Sequence, residues 1–372
     1  MSKYLKSKIL RLLQTILSVE RDLIVGGQAV MEGVMMRTPS AYAIACRRQD
    51  GQIVTTAEKL PKWSEKYRFL GLPILRGGAT LIQSMALGIK ALNFSAQIYE
   101  ESRGSEDKTL DAAIIDDPGL RNNNSPKTSH AAPDKSRNTG KQAGAIGSII
   151  FAIAFNIILF IVAPLILTNI AFIYLGLAEP PVIPAGSAWY ETLKALIWEI
   201  KPHSWVAFNL ADGLLRTVFF VLMIFSMSWL SDIRRVFEYH GAEHKTVFAW
   251  ENGCLLNVEN AKNQPRRHPR CGTSFLMVVM IVAIILFSVI KFDALWLNLV
   301  VRIALMPLVA GISYEIIRYS AKKESGAFFR IITAPGIWLQ KITTQEPDGK
   351  QLEVAIAALN ASLELEPAVA KA

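Results

Sequence analysis

Residues 271–290 read CGTSFLMVVMIVAIILFSVI, twenty consecutive residues without a charged side chain. A transmembrane helix needs about 20 apolar residues to cross a hydrocarbon core of about 30 Å. Three other segments are comparably apolar, at 143–178, 206–230 and 294–314. The sequence therefore predicts a mainly α-helical, polytopic membrane protein with about four transmembrane helices.

The composition supports this class. Apolar residues make up 51% of the 372 residues and charged residues only 19%, whereas soluble chains carry about 25% charged residues. Three cysteines, an odd number, exclude a disulfide scaffold.

The distribution of Lys and Arg predicts the orientation in the bilayer. Of the 40 basic residues, 21 precede the first span, seven lie in the 231–270 loop, and seven follow the fourth span. Because basic loops stay on the cytoplasmic side, we expect both termini and this loop in the cytoplasm of a bacterium, with the spans in its inner (plasma) membrane. The net charge of +9 is then a signature of topology, and the expected partner is the lipid bilayer rather than nucleic acid.

The remaining segments have separate signatures. Residues 41–47 and 53–57 are β-prone runs joined through Asp50-Gly51, a hairpin signal. The predicted organisation is a basic amphipathic helix on the bilayer or on the protein (1–22), a small cytoplasmic α+β domain (23–99), a disordered linker (100–142), a membrane domain (143–320) containing the 231–270 loop, and a cytoplasmic helical tail (321–372) with one helix over 351–365. The pairs Gly26-Gly27 and Gly77-Gly78 are interpreted as turns or bulges.

The 231–270 loop contains the pattern H-x-x-E-H at His240, Glu243 and His244. On a helix, residues i and i+4 share a face, so both imidazoles could reach one metal ion. The pattern is the inverse of the common zinc-protease motif, in which two histidines bind Zn²⁺ and a glutamate acts as the general base. A structural alternative is that both histidines only form a solvated face.

Candidates for a third ligand follow closely. His268 and Cys271 are three residues apart on the same side of the membrane, and nitrogen and sulfur are the ligands that Zn²⁺ prefers. We take His268 as the third ligand and Cys271 as its substitute, with Zn²⁺ or another divalent transition metal as the ion. Glu238 and Glu315 are further acidic candidates, although Glu315 could equally pair with Arg318 or Lys322.

Charges inside the spans are costly and so invite a functional interpretation. Asp212 and Arg216, at i and i+4, are expected to neutralise each other, whereas Arg302 has no sequence-local partner. Cys46 and Cys254 are interpreted as structural.

Four motifs in order resemble the YqhQ-like bacterial membrane proteins: GGQAVMEGVMMR (26–37), FEYHGAEHKT (237–246), RHPRCGTSF (267–275) and VAGISYEIIR (309–318). That family is known as a domain of unknown function and sometimes as predicted metal-dependent enzymes. The resemblance implies an inner-membrane protein with a metal site at His240, Glu243, His244, His268 and Cys271.

Three functions are compatible with these features. The first is a metal-dependent hydrolase in which Glu243 deprotonates a water molecule, acting on a membrane-associated or anionic substrate. The second is a non-catalytic scaffold or assembly factor with a structural metal. The third is a transporter, which would need a homo-oligomer because one chain has only four spans and no repeat.

Overall fold

The computed structural model describes residues 25–60, 72, 75–115, 150–183, 186, 188–198, 200–290, 292, 295–321 and 326–366. The predicted helix 1–22 and most of the predicted linker lie outside these residues. The chain forms two compact units: the first comprises residues 1–107, 224–283 and 300–372, and the second comprises residues 108–223 and 284–299.

The elements of both units follow in chain order. The strands are β1 (Gly26–Val30), β2 (Gly33–Arg37), β3 (Ala41–Arg47), β4 (Ile53–Lys59), β5 (Ala178–Glu179) and β6 (Lys201–Pro202). The helices are α1 (Leu75–Ile115), α2 (Ile150–Tyr174), α3 (Trp189–Trp198), α4 (Trp205–Met227), α5 (Ser231–Glu251), α6 (Val258–Lys262), α7 (Gly272–Val289), α8 (Leu295–Ala321), α9 (Ala327–Thr343) and α10 (Gly349–Glu364).

The first unit is built on an antiparallel meander of β1 to β4. The predicted hairpin is confirmed, with Ala41 opposite Lys59 and Arg47 opposite Ile53. Both faces of the sheet are covered. Ile44 and Cys46 pack with apolar side chains of α1, whereas Ala45 lies in the cluster with α5 and α10. Burial on both faces explains why β3 lacks the polar alternation of a one-sided strand.

Helix α10 contributes to this core. Asp348 and Gln351 form a capping box at its amino end, and Leu352 and Leu359 are fully buried. The helix predicted in the carboxyl-terminal tail is therefore confirmed, and its small and apolar residues face both the sheet and α5.

Two helices extend through segments outside the predicted spans. Residues 231–251, between the second and third candidate spans, form helix α5, most of whose second half is buried. Helix α1 extends to Ile115, into the segment predicted as a linker. Its residues 100–115 include three Glu, two Ala, one Arg, one Lys and one Leu, which favour helix despite the charge that suggested disorder.

Four helices within the described residues are long and apolar enough to cross a bilayer: Ile150–Tyr174, Trp205–Met227, Gly272–Val289 and Val300–Tyr319. They correspond to the four segments predicted from the sequence. Segment 143–178 contains one candidate span, as expected. The helix in this segment contains a π-helical turn at Ile158–Val162, just before Pro164.

The π-helical turn contacts the ion pair that Asp212 and Arg216 form in the second unit. The Arg216 guanidinium bonds both carboxylate oxygens of Asp212, at 2.8 and 3.2 Å, which confirms the predicted ion pair. It also donates to the backbone oxygen of Phe160, at 2.6 Å. The π-helical turn therefore contains the carbonyl that accepts the third hydrogen bond of the Arg216 guanidinium.

The start of α1 packs on α8 within the first unit. A Cβ atom on Gly77 would lie 2.7 Å from Cβ of Tyr314 and 2.9 Å from Cα of Gly311. Gly77 is therefore a helical residue at a close helix contact and not a turn. Next to it, Arg76 forms a bidentate ion pair with Glu315, at 2.7 and 2.5 Å, so Arg76 is a partner of Glu315.

Candidate metal centre

Helix α5 brings the two motif histidines together. The ring centroids of His240 and His244 are 4.4 Å apart, as the i, i+4 spacing predicts. Cys271 immediately precedes α7, and its Sγ atom lies 3.2 Å from Nε2 of His240. Among the described residues, His240, His244 and Cys271 form a group whose possible ligand atoms all lie within 4.8 Å of one another.

Backbone carbonyls determine which nitrogen of each histidine faces the group. Nδ1 of His240 lies 2.8 Å from the oxygen of Thr343, and Nδ1 of His244 lies 2.6 Å from the oxygen of Arg266. A carbonyl oxygen only accepts, so each Nδ1 carries the hydrogen. In the neutral rings, both Nε2 atoms therefore present lone pairs.

The Nε2 atom of His244 is buried and forms no hydrogen bond with any residue that the structure describes. Oε2 of Glu243 lies 3.4 Å from it. Burial lowers the pKa of His244, which favours the neutral ring even though nearby Cys271 acts in the opposite direction. A buried acceptor without a donor is costly, unless a metal ion uses its lone pair.

Gln340 of α9 holds the segment that carries Cys271. Its Oε1 accepts from the backbone N–H of His268 at 2.8 Å, and its Nε2 donates to the His268 carbonyl at 2.9 Å. It also donates to the hydroxyl of Thr273 at 3.2 Å. Since Gln340 is fully buried, these bonds fix the chain on both sides of Cys271.

The side chain of Glu243, on α5, packs against Gly27 of β1. It is 5% exposed, and burial raises its pKa, whereas His240, His268 and the backbone N–H of Gly27 oppose the rise. A Cβ atom on Gly27 would lie 2.7 Å from Cγ of Glu243. Gly27 is extended in β1, so the interpretation of this glycine as a turn is wrong: it is small because Glu243 packs on it.

His268 lies beside the group but uses both ring nitrogens elsewhere. Nδ1 accepts from the backbone N–H of Arg270 at 3.2 Å, and Nε2 then donates to Glu251 at 3.1 Å. Arg270 also bonds Glu251, at 2.6 Å. Burial raises the pKa of Glu251, but the His268 bond and the Arg270 charge outweigh it, so the net shift is downward. The geometry therefore favours Cys271 over His268 as the third ligand.

Three further residues that the sequence singled out, Glu238, Cys46 and Arg302, lie in other environments. Glu238 accepts a hydrogen bond from Gln351 at 2.9 Å. Cys46 is buried in the sheet, and burial raises the pKa of its thiol to about 12. Arg302 is half-buried in α8. None of these three belongs to the group of possible metal ligands within the described residues.

The sequence did not reveal the groups that orient the ligands. The carbonyls of Thr343 and Arg266 carry no side-chain signature, and nothing in the local sequence links Gln340 to His268. Gly27 lies in a motif that was noticed, but its contact with Glu243 connects residues more than 200 positions apart.

The donor set suits a borderline or soft transition metal. Two imidazole nitrogens and one thiolate resemble the ligands of zinc sites, whereas Mg²⁺ and Ca²⁺ prefer oxygen. The two Nδ1–H to carbonyl bonds are the outer contacts that metal-binding histidines usually make. The residues present therefore fit a Zn²⁺-like ion.

Comparison with known proteins identifies the family. The family model described as "Protein of unknown function (DUF1385)" matches residues 72–365. The chain belongs to this family. It is 33% identical to the "Uncharacterized protein YqhQ" of Bacillus subtilis (strain 168) over 343 residues, which cover 92% of each chain. No solved structure matches the chain. The DUF1385 family name specifies no reaction, so a function has to be inferred from the metal centre.

Proposed function

We propose that this DUF1385 protein is a metal-dependent hydrolase of the bacterial inner membrane, with Zn²⁺ or a similar ion held by His240, His244 and Cys271. The observation that carries the proposal is the orientation of the two histidines. Carbonyl oxygens hold both Nδ1–H groups, so two Nε2 lone pairs face one thiol. Three ligands leave a position open, as in catalytic zinc sites.

The chemistry is divided between the ion and Glu243. A divalent ion at the centre would act as a Lewis acid and lower the pKa of a water molecule. Glu243, whose own pKa burial raises, would accept the proton of that water and return it to the leaving group. The raised pKa brings the carboxylate nearer to neutral pH, where such a base is most effective.

The substrate class follows from the surroundings. Cys271 directly precedes α7, one of the four candidate spans, so a substrate would meet the ion close to the bilayer. Arg267 and Arg270 of the same segment are exposed, and they would favour an anionic substrate with an ester, amide or phosphate bond. The distribution of Lys and Arg supports a cytoplasmic position for this centre.

The first test is the metal content of the detergent-purified protein, measured by elemental mass spectrometry. We expect about one equivalent of a transition metal in the wild type and none in the His240→Ala/His244→Ala double variant. His203→Ala is the matched control, because this exposed histidine lies in the second unit, and it should retain the metal. Absence of metal from the wild type even after reconstitution would refute the proposal.

Glu243→Gln tests the catalytic step. In a screen of ester, amide and phosphate substrates, we expect this variant to lose about 10²–10⁴-fold of the activity while it keeps its metal. Loss of the metal would make Glu243 a ligand instead of a base.

A structural metal in a scaffold protein is the second candidate. It is favoured by the burial of His244, 1% exposed, and Glu243, 5% exposed, and by the way the centre joins α5 to the start of α7. On this alternative, chelation lowers the melting temperature of the protein, and no substrate of the screen is turned over.

A further inference from the structure

A cleft of about 240 Å³ lies in the first unit, where the start of α1 meets the end of α8. Its lining consists of Arg76, Glu315, Arg318 and Tyr319. Arg76 and Glu315 form the bidentate pair described above, and their side chains are 26% and 29% exposed. The ion pair therefore fixes the orientation of the Arg76 guanidinium on one side of the cleft.

Arg318 adds a second guanidinium on the next turn of α8. Its side chain is exposed, and it forms no ion pair with any residue in the described part of the chain. Two arginines and one glutamate give the cleft a net charge of +1. Because a guanidinium presents several N–H donors in one plane, it suits the oxygens of a phosphate group.

The cleft lies at the end of the candidate span in α8. Tyr319, 58% exposed, is the last residue of the candidate span Val300–Tyr319. Its ring lies edge-on to Phe328, with centroids 6.0 Å apart. Tyrosine and arginine at the end of a span are typical of the headgroup region of a bilayer. Leu72, one turn before Arg76, is 54% exposed and offers an apolar contact beside the charges.

We propose that this cleft binds the phosphate of an anionic phospholipid headgroup, with Arg318 as the main contact and Arg76 as the oriented second cation. Basic pockets beside transmembrane helices on the cytoplasmic side bind the headgroups of anionic lipids. The proposal rests on the insertion of α8 in a bilayer, but it is independent of the metal centre.

Arg318→Ala is the decisive variant, because this exposed side chain forms no ion pair with the described residues and can be removed without disturbing their packing. Arg330→Ala is the matched control: Arg330 is also exposed, and it lies on α9 outside the cleft. Arg318→Lys keeps the charge but removes the planar donor group. Each purified full-length protein is titrated in neutral detergent with short-chain phosphatidylglycerol, phosphatidylcholine of the same chain length, and inorganic phosphate, with bound ligand counted by native mass spectrometry.

We expect saturable binding of phosphatidylglycerol to the wild type and to Arg330→Ala, about fivefold weaker in Arg318→Ala, with an intermediate loss in Arg318→Lys. Phosphatidylcholine and inorganic phosphate should bind much more weakly. Unchanged binding in Arg318→Ala, or an equal loss in Arg330→Ala, would overturn the cleft as a site. Inorganic phosphate bound as tightly as phosphatidylglycerol would overturn the lipid as its ligand.

Discussion

The two units of the molecule each contain a buried polar cluster, and the clusters differ in how completely their groups are paired. In the second unit, Arg216 donates to Asp212 and to the carbonyl of Phe160. In the first unit, His240 and His244 are equally well oriented through Nδ1, yet Nε2 of His244 has no hydrogen bond with the residues described.

This difference indicates different roles. A buried group whose donors and acceptors are paired within the protein contributes to the fold and requires no ligand. A buried acceptor that is held in place and left unpaired costs stability, so its orientation is better explained by a ligand. By this criterion the Asp212–Arg216 pair requires no ligand, whereas the unpaired Nε2 of His244 supports the proposed metal site.

The largest effect that would sharpen the comparison concerns the third ligand. We expect Cys271→Ser to abolish the binding of metal by the purified protein, because a thiolate ligand is lost. His268→Gln should keep about one equivalent, since both nitrogens of His268 already have partners. Elemental analysis of the two variants decides it: retention in Cys271→Ser with loss in His268→Gln would restore His268 as the ligand.

Breaking the Asp212–Arg216 ion pair of the second unit should lower the stability of the protein and leave its metal content unchanged. Asp212→Ala leaves Arg216 with only a carbonyl partner, and breaking such a pair costs about 3–5 kcal/mol. We expect a lower melting temperature in detergent and an unchanged metal content, with a smaller loss in Asp212→Asn. If Asp212→Ala melts like the wild type, the pair is not structural.

Gln340→Leu tests whether the hydrogen bonds that hold the chain around Cys271 contribute to metal affinity, although Gln340 is not itself a ligand. The variant leaves the N–H and the carbonyl of His268 without their partner, at a cost of about 2–3 kcal/mol. We expect metal affinity to fall at least about tenfold as well, measured by competition with a chelator. Gln351→Leu is the control: this glutamine is equally buried but serves the cap of α10, so it should lose stability without losing affinity.

A smaller effect is expected at the glycine pair of β1. A Cβ atom on Gly27 would overlap Glu243 and lie 2.6 Å from the Met35 carbonyl, whereas one on Gly26 would meet nothing within 4 Å. Gly27→Ala should therefore cost about 1–2 kcal/mol and lower any activity that depends on Glu243. Gly26→Ala should do neither, and equal melting temperatures for the two variants would contradict the packing argument.

The smallest effect concerns pH. The pKa of Glu251 is lowered in the folded protein, so its charge adds stability above the ordinary glutamate pKa of about 4.3, and this contribution is lost as the pH falls through the folded value. Glu251→Gln should melt lower than the wild type at pH 7, and the difference should shrink towards pH 3. A difference that is constant with pH would exclude a role for the charge.

The sequence predicted those features that depend on local patterns. Apolar runs located the four long helices, and Asp50-Gly51 located the β3–β4 hairpin. The H-x-x-E-H spacing placed His240 and His244 on one helical face. In each case the decisive residues lie within a few turns or strands of one another, so their periodicity or spacing is visible in a single stretch.

Features that depend on distant contacts could not be predicted. Helix α10 has the pattern of a surface helix, and only its packing against the sheet shows why its alanines are buried. The preference for Cys271 over His268 depends on two hydrogen bonds of His268, which donates to Glu251 and accepts from the backbone N–H of Arg270. The bond to Glu251 exists only after the segment has folded against α5. Likewise, Arg76 and Glu315 are separated by more than 200 residues, and no local pattern links them.

The sheet has a consequence for the order of events during synthesis. Strands β1 to β4 leave the ribosome before any candidate span, but α10, which covers one face of the sheet, is made after all four. Glu366 then accepts hydrogen bonds from Thr38 and Ser40, which joins the latest described residue to the early strands. For as long as the helices between them are being made, the nascent sheet keeps an apolar face without its cover. The candidate metal centre depends on the same late step, because Thr343 and Gln340 emerge just before α10.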